Sequence, residues 1–371
     1  MRVLKMTGFG LLSLTLMTAC STPHADAIVV EDCPKLVPAP WTGPLLIESK
    51  YDQSEATKTT LRERSEQSEA IQEQVTDFTK GLVRLGDYAI NNSDDAKGKV
   101  ALTCVSGWLH AWATENALLH EEATKTGVAV RKWALASIAS VLLKLEQVLP
   151  GRLPADPASD KWLQAMADKV VADYDRRLDP GFSYFNNHDY WAAWAVASTG
   201  LLLDKRDYLT WADARFRRAL RQLELSSSGQ YAWLPNEIGR EHLAANYTHY
   251  ALVPLVMLAA ALPPNGFELN EADQSRLDAL VNFAAQSVLD PDQVGGVLKK
   301  DQKSVPDYKL AWLIPWLQLH PTHSLAKALY LDRDGDVDGY SQIGGNLEPW
   351  FGEPLTGKQS DVRLKLPGDR S

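Results

Sequence analysis

Residues 190–203 read YWAAWAVASTGLLL and residues 244–262 read AANYTHYALVPLVMLAAAL. Wound at 3.6 residues per turn, each stretch is apolar around nearly its whole circumference. A helix of that kind is buried on every side. The helical patterns around them are amphipathic. They cover residues 128–149, stopped by Pro150-Gly151, then 161–177, 207–223 and 272–289. Residues 100–119 place Trp108 and Trp112 four apart, hence on one face. From Thr59 onward the chain alternates such helices with short loops. Strand-like alternation is nearly absent, and there is no glycine-rich phosphate loop. No fixed 34- or 40-residue period supports a tetratricopeptide or armadillo array. Buried helices inside a ring of amphipathic ones predict an all-α, closed or nearly closed toroid. A polar loop over 290–306 and a short helix over 310–319, with Trp312 and Trp316, precede a tail. Beyond His320 that tail is rich in Gly, Pro and Asp and is expected to be irregular.

The 371 residues carry 38 Lys plus Arg against 47 Asp plus Glu, a net charge of −9. Hydrophobic residues make up 45% and charged ones 23%, which argues against disorder and against a fibrous fold. The acidic balance speaks against nucleic acid, which needs a basic footprint. An anionic substrate stays open, because a cleft can be locally positive. Twelve tryptophans suit a helical cleft that holds sugar rings.

Arg2 and Lys5 precede an apolar run over residues 6–19, too short to span a bilayer. Residues 1–20 therefore read as a secretory signal. Thr18-Ala19-Cys20 resembles a bacterial lipobox, in which Cys20 becomes the lipidated first residue. Simple cleavage nearby is the alternative. No later run is read as long enough to be a membrane helix. Lipidation would leave Cys33 and Cys104, which tend to pair in an oxidising compartment. That bond would pin the N-terminal arm to a helix of the body. The expected organisation is a signal over 1–20, an extended tether over 21–44, a catalytic body over 45–355 and an irregular tail over 356–371. The expected location is the periplasm, on the outer membrane if Cys20 carries acyl chains, with no other membrane contact.

Three segments put polar residues into apolar surroundings. In Phe185-Asn186-Asn187-His188-Asp189, an Asn-His pair opens a buried helix at its positive end, a natural anion site. The plainer reading makes Asn187 a helix cap and His188 a satisfied core histidine. In residues 234–252, Arg240 is the cation near the start of the second apolar helix. Tyr247 and Tyr250, three apart, share a face. A buried Tyr usually just finds a hydrogen-bond partner. In Glu48-Ser49-Lys50-Tyr51, a lone loop Lys is most often a solvated charge.

Together these segments resemble the polysaccharide lyase family 5 alginate lyases. The resemblance rests on Asn187-His188 followed by Tyr-Trp-Ala-Ala-Trp, on Leu-Pro-Asn-Glu, and on Arg240 seven residues before Tyr247. Ser49-Lys50-Tyr51, Cys104 with Trp108 and Trp112, and Arg131-Lys132-Trp133-Ala134-Leu135 match in order. So do Ala311-Trp312-Leu313 and Gly344-Gly345. The resemblance implies an (α/α) toroid, an incomplete helical barrel with a deep cleft. It implies cleavage of poly-β-D-mannuronate by β-elimination. Arg240, Asn187 and His188 would neutralise the C6 carboxylate. Tyr247 would take the C5 proton and hand a proton to O4, with its pKa lowered by Arg240. The alternative makes His188 the base and Tyr247 only the acid. Sugar contacts are implied at Ser49, Lys50, Tyr51, Lys125, Thr126, Trp133 and Tyr250, with Lys50 on a lid loop.

Some positions depart from the family pattern. Thr248-His249 follows Tyr247 where His-Asn is common, which puts subsite preference in question. Lys125 stands in place of His, and Gln342 in place of an Arg. The alternating Asp run over 332–338 lacks the Glu that would complete a calcium loop. It reads as a solvated turn, so neither metal nor cofactor is expected. A lyase on another polyuronate is a second reading. A low-turnover, polymer-binding scaffold of an export complex is a third. A glycoside hydrolase needs two facing carboxylates, and the motifs offer only Asp189 and Glu237.

Overall fold

A computed structural model describes residues 33, 35–299, 301–337, 339–356 and 364–367. The signal, Cys20 and most of the tether and tail lie outside the described residues. Twelve α-helical segments follow in order: α1 (Glu66–Asn91), α2 (Ala96–Thr114), α3 (Lys125–Val148), α4 (Pro157–Tyr174), α5 (Asn187–Leu203), α6 (Arg206–Arg221), the single turn α7 (Pro235–Ile238), α8 (Ala244–Ala261), α9 (Glu271–Leu289), α10 (Leu313–Leu319), α11 (Ser324–Asp332) and the single turn α12 (Glu348–Phe351). Two short strands, β1 (Glu224–Leu225) and β2 (Ala232–Trp233), pair antiparallel.

The two apolar stretches are the buried helices α5 and α8, and α3 joins them. α3 packs on α1, α4 and α5. α5 packs on α3, α4, α6 and α8, and α8 also on α9 and α10. The more amphipathic helices, α6 most clearly, flank these inner ones, and the fold is the (α/α) toroid. Its ends meet where the turn at Gly344 packs on the α3 backbone. A Cβ there would lie 2.9 Å from Ser140 C and Val141 N. Lys144 of α3, fully buried, donates to the carbonyls of Gly344 and Asn346 and pairs with Asp87 of α1.

Residues 35–44 form part of this body. Trp112 Nε1 donates to Pro38 O at 2.8 Å, and Leu118 N to Trp41 O at 2.8 Å. A Cys33–Cys104 disulfide ties their start to α2. Two expectations need correction. The chain beyond His320 is not all irregular. SLAKALYLD folds as α11 because Ala and Leu are strong helix formers and His323 caps it, while the Gly-Asp punctuation starts only after Asp332. The region over 241–265 does reach the length and apolarity of a membrane span. It is 83% buried inside the body, so it is a core helix.

Candidate active site

The site forms where the starts of α5 and α8 face each other beneath a loop over residues 49–62. Asn186, not Asn187, caps α5. Its side chain accepts from His188 N at 3.1 Å, and Asp189 reaches back to Asn186 N at 2.9 Å. Arg177 grips both Asp189 oxygens at 2.6 Å. This capping box closes the end of α5. Asn187 N is also taken, by Glu237 at 2.8 Å. The helix end expected to hold a substrate anion is therefore already satisfied by the chain's own carboxylates. Both carboxylates that the motifs offered, Asp189 and Glu237, are thus bonded to the chain's own groups.

Glu237 sits on α7 and is 1% exposed. It also accepts from Asn187 Nδ2 at 3.0 Å on each oxygen. A carboxylate only accepts, so the amide must turn its nitrogen to it. That leaves the buried Asn187 Oδ1 without a partner. Burial pushes the Glu237 carboxyl up to about 7, against the pull of the Asn187 donors and Arg240.

Arg240 follows α7. Its guanidinium lies 3.8 Å from the centre of the Tyr247 ring and 5.1 Å from that of Tyr51. Nη2 donates to Lys58 O at 2.7 Å, while the buried Nε has no partner. Tyr247 lies in the first turn of α8, its ring 6.5 Å from Tyr51 and 6.1 Å from Tyr250. The expected lowering of the Tyr247 pKa is not what the geometry gives. Burial raises it, and Arg240 offsets only part of that rise.

His188 points towards α3. Its Nδ1 is 2.7 Å from Lys132 Nζ, and its ring is 5.5 Å from Trp133. Burial first, then the positive charges of Lys132, Arg177, Arg240 and Lys58, hold it well below the ordinary histidine range. Both effects favour the neutral ring. The Trp133 indole N–H is buried and also lacks a partner.

The loop over 49–62 is a lid shaped by its own polar residues. Tyr51 bridges Leu61, and Ser49 Oγ accepts from Tyr51 N at 3.1 Å and from Gln53 at 2.8 Å. Ser49 thus shapes the lid in this structure. Lys50 is exposed, 5.2 Å from the Tyr51 ring. The cation that crosses the cleft is Lys58, 4.4 Å from the Tyr184 ring. Lys125 and Thr126 start α3, seven residues before Lys132 and Trp133. Each shares a face with its later partner, about 10.5 Å along the axis.

Tyr250 is 8% exposed and packs behind Tyr247 on Trp191, 5.2 Å away. Gln342 and Tyr340 hydrogen-bond to each other at 2.5 Å and engage Tyr250. Thr248 and His249 face away from the cleft, both 0% exposed. His249 accepts from Trp312 Nε1 at 3.0 Å and meets Ala284 O at 3.0 Å. That departure from the family pattern therefore bears on how α8 packs against α9 and Trp312, not on a subsite.

Sequence reasoning missed Lys58, Lys309 and the partnership of Lys132 with His188. Lys309 Nζ lies 5.6 Å from the Tyr247 ring and 5.1 Å from that of Tyr250, and burial lowers it to about 8. Arg240 is accordingly not the lone cation at this helix start. The signal available was charge in an apolar context, such as Lys132 inside a run that is otherwise core. Among the described residues no group of His, Cys, Asp and Glu could hold a metal.

Known proteins give the comparison. The sequence model of the family described as alginate lyase matches residues 46–294. An alginate lyase of Pseudomonas paraeruginosa is 30% identical over 327 residues, covering 86% of this chain and 85% of that protein. One from Pseudomonas fluorescens is 34% identical over 292 residues, covering 76% of each. Among solved structures, alginate lyase A1-III from Sphingomonas species A1 aligns with a TM-score of 0.62 at 18% identity, covering 88% of each chain. A tyrosine-to-phenylalanine variant of A1-III complexed with tetrasaccharide aligns with a TM-score of 0.64 at 18% identity. That match covers 90% of this chain and 89% of that one.

Proposed function

The chain belongs to the alginate lyase family, and from that premise we propose that it cleaves mannuronate-rich alginate by β-elimination. The observation that carries the reading is a set of partnerless buried polar atoms on the site residues: Arg240 Nε against Tyr247, Trp133 Nε1 next to His188, and Asn187 Oδ1 at the start of α5. Buried polar groups are normally satisfied, so such a set suits a polar ligand such as a uronate.

In the proposed reaction the C6 carboxylate meets Arg240 and the His188 ring, whose charge and N–H dipole stabilise the enolate as it forms. Asn187, expected beside them, instead has its amide nitrogen held by Glu237 and offers only Oδ1, an acceptor for a sugar hydroxyl and not for the carboxylate. The Tyr247 phenolate takes the C5 proton. The electron pair forms the C4–C5 double bond as C4–O4 breaks. Tyr247 then returns the proton to O4, which leaves as the anomeric hydroxyl of the neighbouring sugar. In mannuronate the C5 hydrogen and O4 lie on the same side, so one residue suffices. Arg240, against the Tyr247 ring, favours the phenolate that burial resists. Tyr51, Lys50 and Ser49 on the lid, and Trp133, Thr126 and Lys125 along α3, would meet flanking sugars, with Tyr250 supporting Tyr247. We place this activity in the periplasm, held to the outer membrane through acyl chains on Cys20. Loss of membrane fractionation in Cys20→Ala is the expected result there.

The test is ultraviolet absorbance of unsaturated uronate from polymannuronate, polyguluronate and a non-alginate polyuronate. The expected outcome is a rise with polymannuronate that falls by about 10³-fold or more in Tyr247→Phe. A folded protein that binds alginate yet gives no rise on any polymer would sink the reading and favour the scaffold.

A further inference from the structure

We propose that Lys132 is a positioning residue that holds His188 as its Nε2–H tautomer, so that the ring enters the reaction as a hydrogen-bond donor and not as the base. The inference rests on the reaction proposed above.

Lys132 is 0% exposed. Lysine is almost never fully buried without a charged partner, and the nearby carboxylate, Asp189, is already gripped on both oxygens by Arg177. Lys132 Nζ instead reaches His188 Nδ1 at 2.7 Å and the Tyr174 hydroxyl at 3.0 Å. Burying an amine for a ring nitrogen and a phenol is costly, which calls for a task other than stability. Burial lowers the Lys132 amine well below its ordinary range, yet as ammonium or as amine it carries an N–H for each of the two atoms it reaches. With one N–H on Tyr174 Oη and one on His188 Nδ1, the ring nitrogen is the acceptor and the ring proton lies on Nε2.

The charged and titratable surroundings work in one direction. Lys132 from α3, Arg177 after α4, Arg240 after α7 and Lys58 from the lid all oppose an imidazolium. Tyr174 of α4 stays a neutral phenol through burial. Asp189, on the same helix as His188, faces Arg177. With Nδ1 filled by Lys132 and Nε2 carrying its hydrogen, His188 has no lone pair left for C5. What it offers is an N–H dipole, strongest in effect where negative charge develops.

The direct measurement is nitrogen NMR of the full folded chain with labelled histidine, assigned by difference with His188→Gln. The expected spectrum has a bare Nδ1 and a protonated Nε2 on His188, unchanged from pH 5 to 9. An Nδ1–H tautomer, or titration in the ordinary histidine range, would overturn the proposal. Two variants extend it. Lys132→Met is expected to lower kcat on the order of 10²-fold with KM nearly unchanged, and to let the tautomers mix. Lys132→Arg, which keeps a donor, is expected to restore the Nε2–H form and part of kcat. A Lys132→Met protein with normal kcat would also overturn the proposal. If that variant does not fold, the spectrum of the unmodified protein decides alone. Absence of turnover on every polyuronate would sink the lyase reading instead, while the spectrum still tests the Lys132–His188 arrangement.

Discussion

Glu237 shows how a residue with no role in proton transfer can still set the pH response. Its carboxyl is raised to about 7 by burial, against an ordinary value near 4.3. A raised acid contributes stability that is fully present below the ordinary value and is lost as pH rises through the folded one. The loss falls between about pH 4.5 and 7 and is on the order of 3 kcal/mol. Glu237→Gln is expected to remove that slope in urea unfolding at the two pH values. Parallel pH dependence in both proteins would contradict the burial argument. At this scale the sequence was half legible. Asn187, His188, Arg240 and Tyr247 come together as their spacing suggested. The α5 cap is a local Asn186–Asp189 box, but which way the Asn187 amide turns and what touches His188 depend on residues 50 or more positions away, and no local pattern carries that.

Among the elements, the inner helices were the clearest in sequence. An all-round apolar pattern admits only a buried helix, and α5 and α8 lie where that pattern runs. The lid was legible only as a loop, because its shape comes from serine, threonine and aspartate contacts such as Asp52 with Ser54 and Glu55 with Thr60. The lid root depends on one glycine. A Cβ on Gly127 would meet Leu45 O at 2.0 Å, where residue 45 bridges Ala123 beside the start of α3. Gly127→Ala is expected to cost about 1–3 kcal/mol and to raise KM several-fold, because the segment feeding the lid must shift. Thermal unfolding and steady-state kinetics check both. Unchanged KM with lowered stability would detach the lid from this contact.

In the whole molecule, the Gly344 turn joins the end of the ring to α3, and the Cys33–Cys104 disulfide pins the N-terminal arm to α2. The bond spans a separation of 71 residues, which in the chain-entropy model amounts to about 4 kcal/mol. Cys104→Ser is expected to lose on the order of 2–4 kcal/mol in denaturant unfolding, with kcat kept. An unaffected midpoint would mean that the arm holds through its hydrogen bonds to Trp112 and Leu118 alone. Net charge and site charge also oppose each other. The chain is −9 overall, yet Arg240 and Lys309 lie against the Tyr247 ring, with Lys50 and Lys58 on the lid above. A polyanion is steered to such a cleft, so kcat/KM should fall as salt is raised. The account turns on Tyr247 as the base and His188 as a neutral donor. The pH dependence of kcat/KM on polymannuronate tests that assignment most directly. Because burial holds the Tyr247 phenol up, the account predicts activity that climbs through the alkaline range. A rising limb at or below the ordinary histidine range, absent in His188→Gln, would contradict it and make His188 the base.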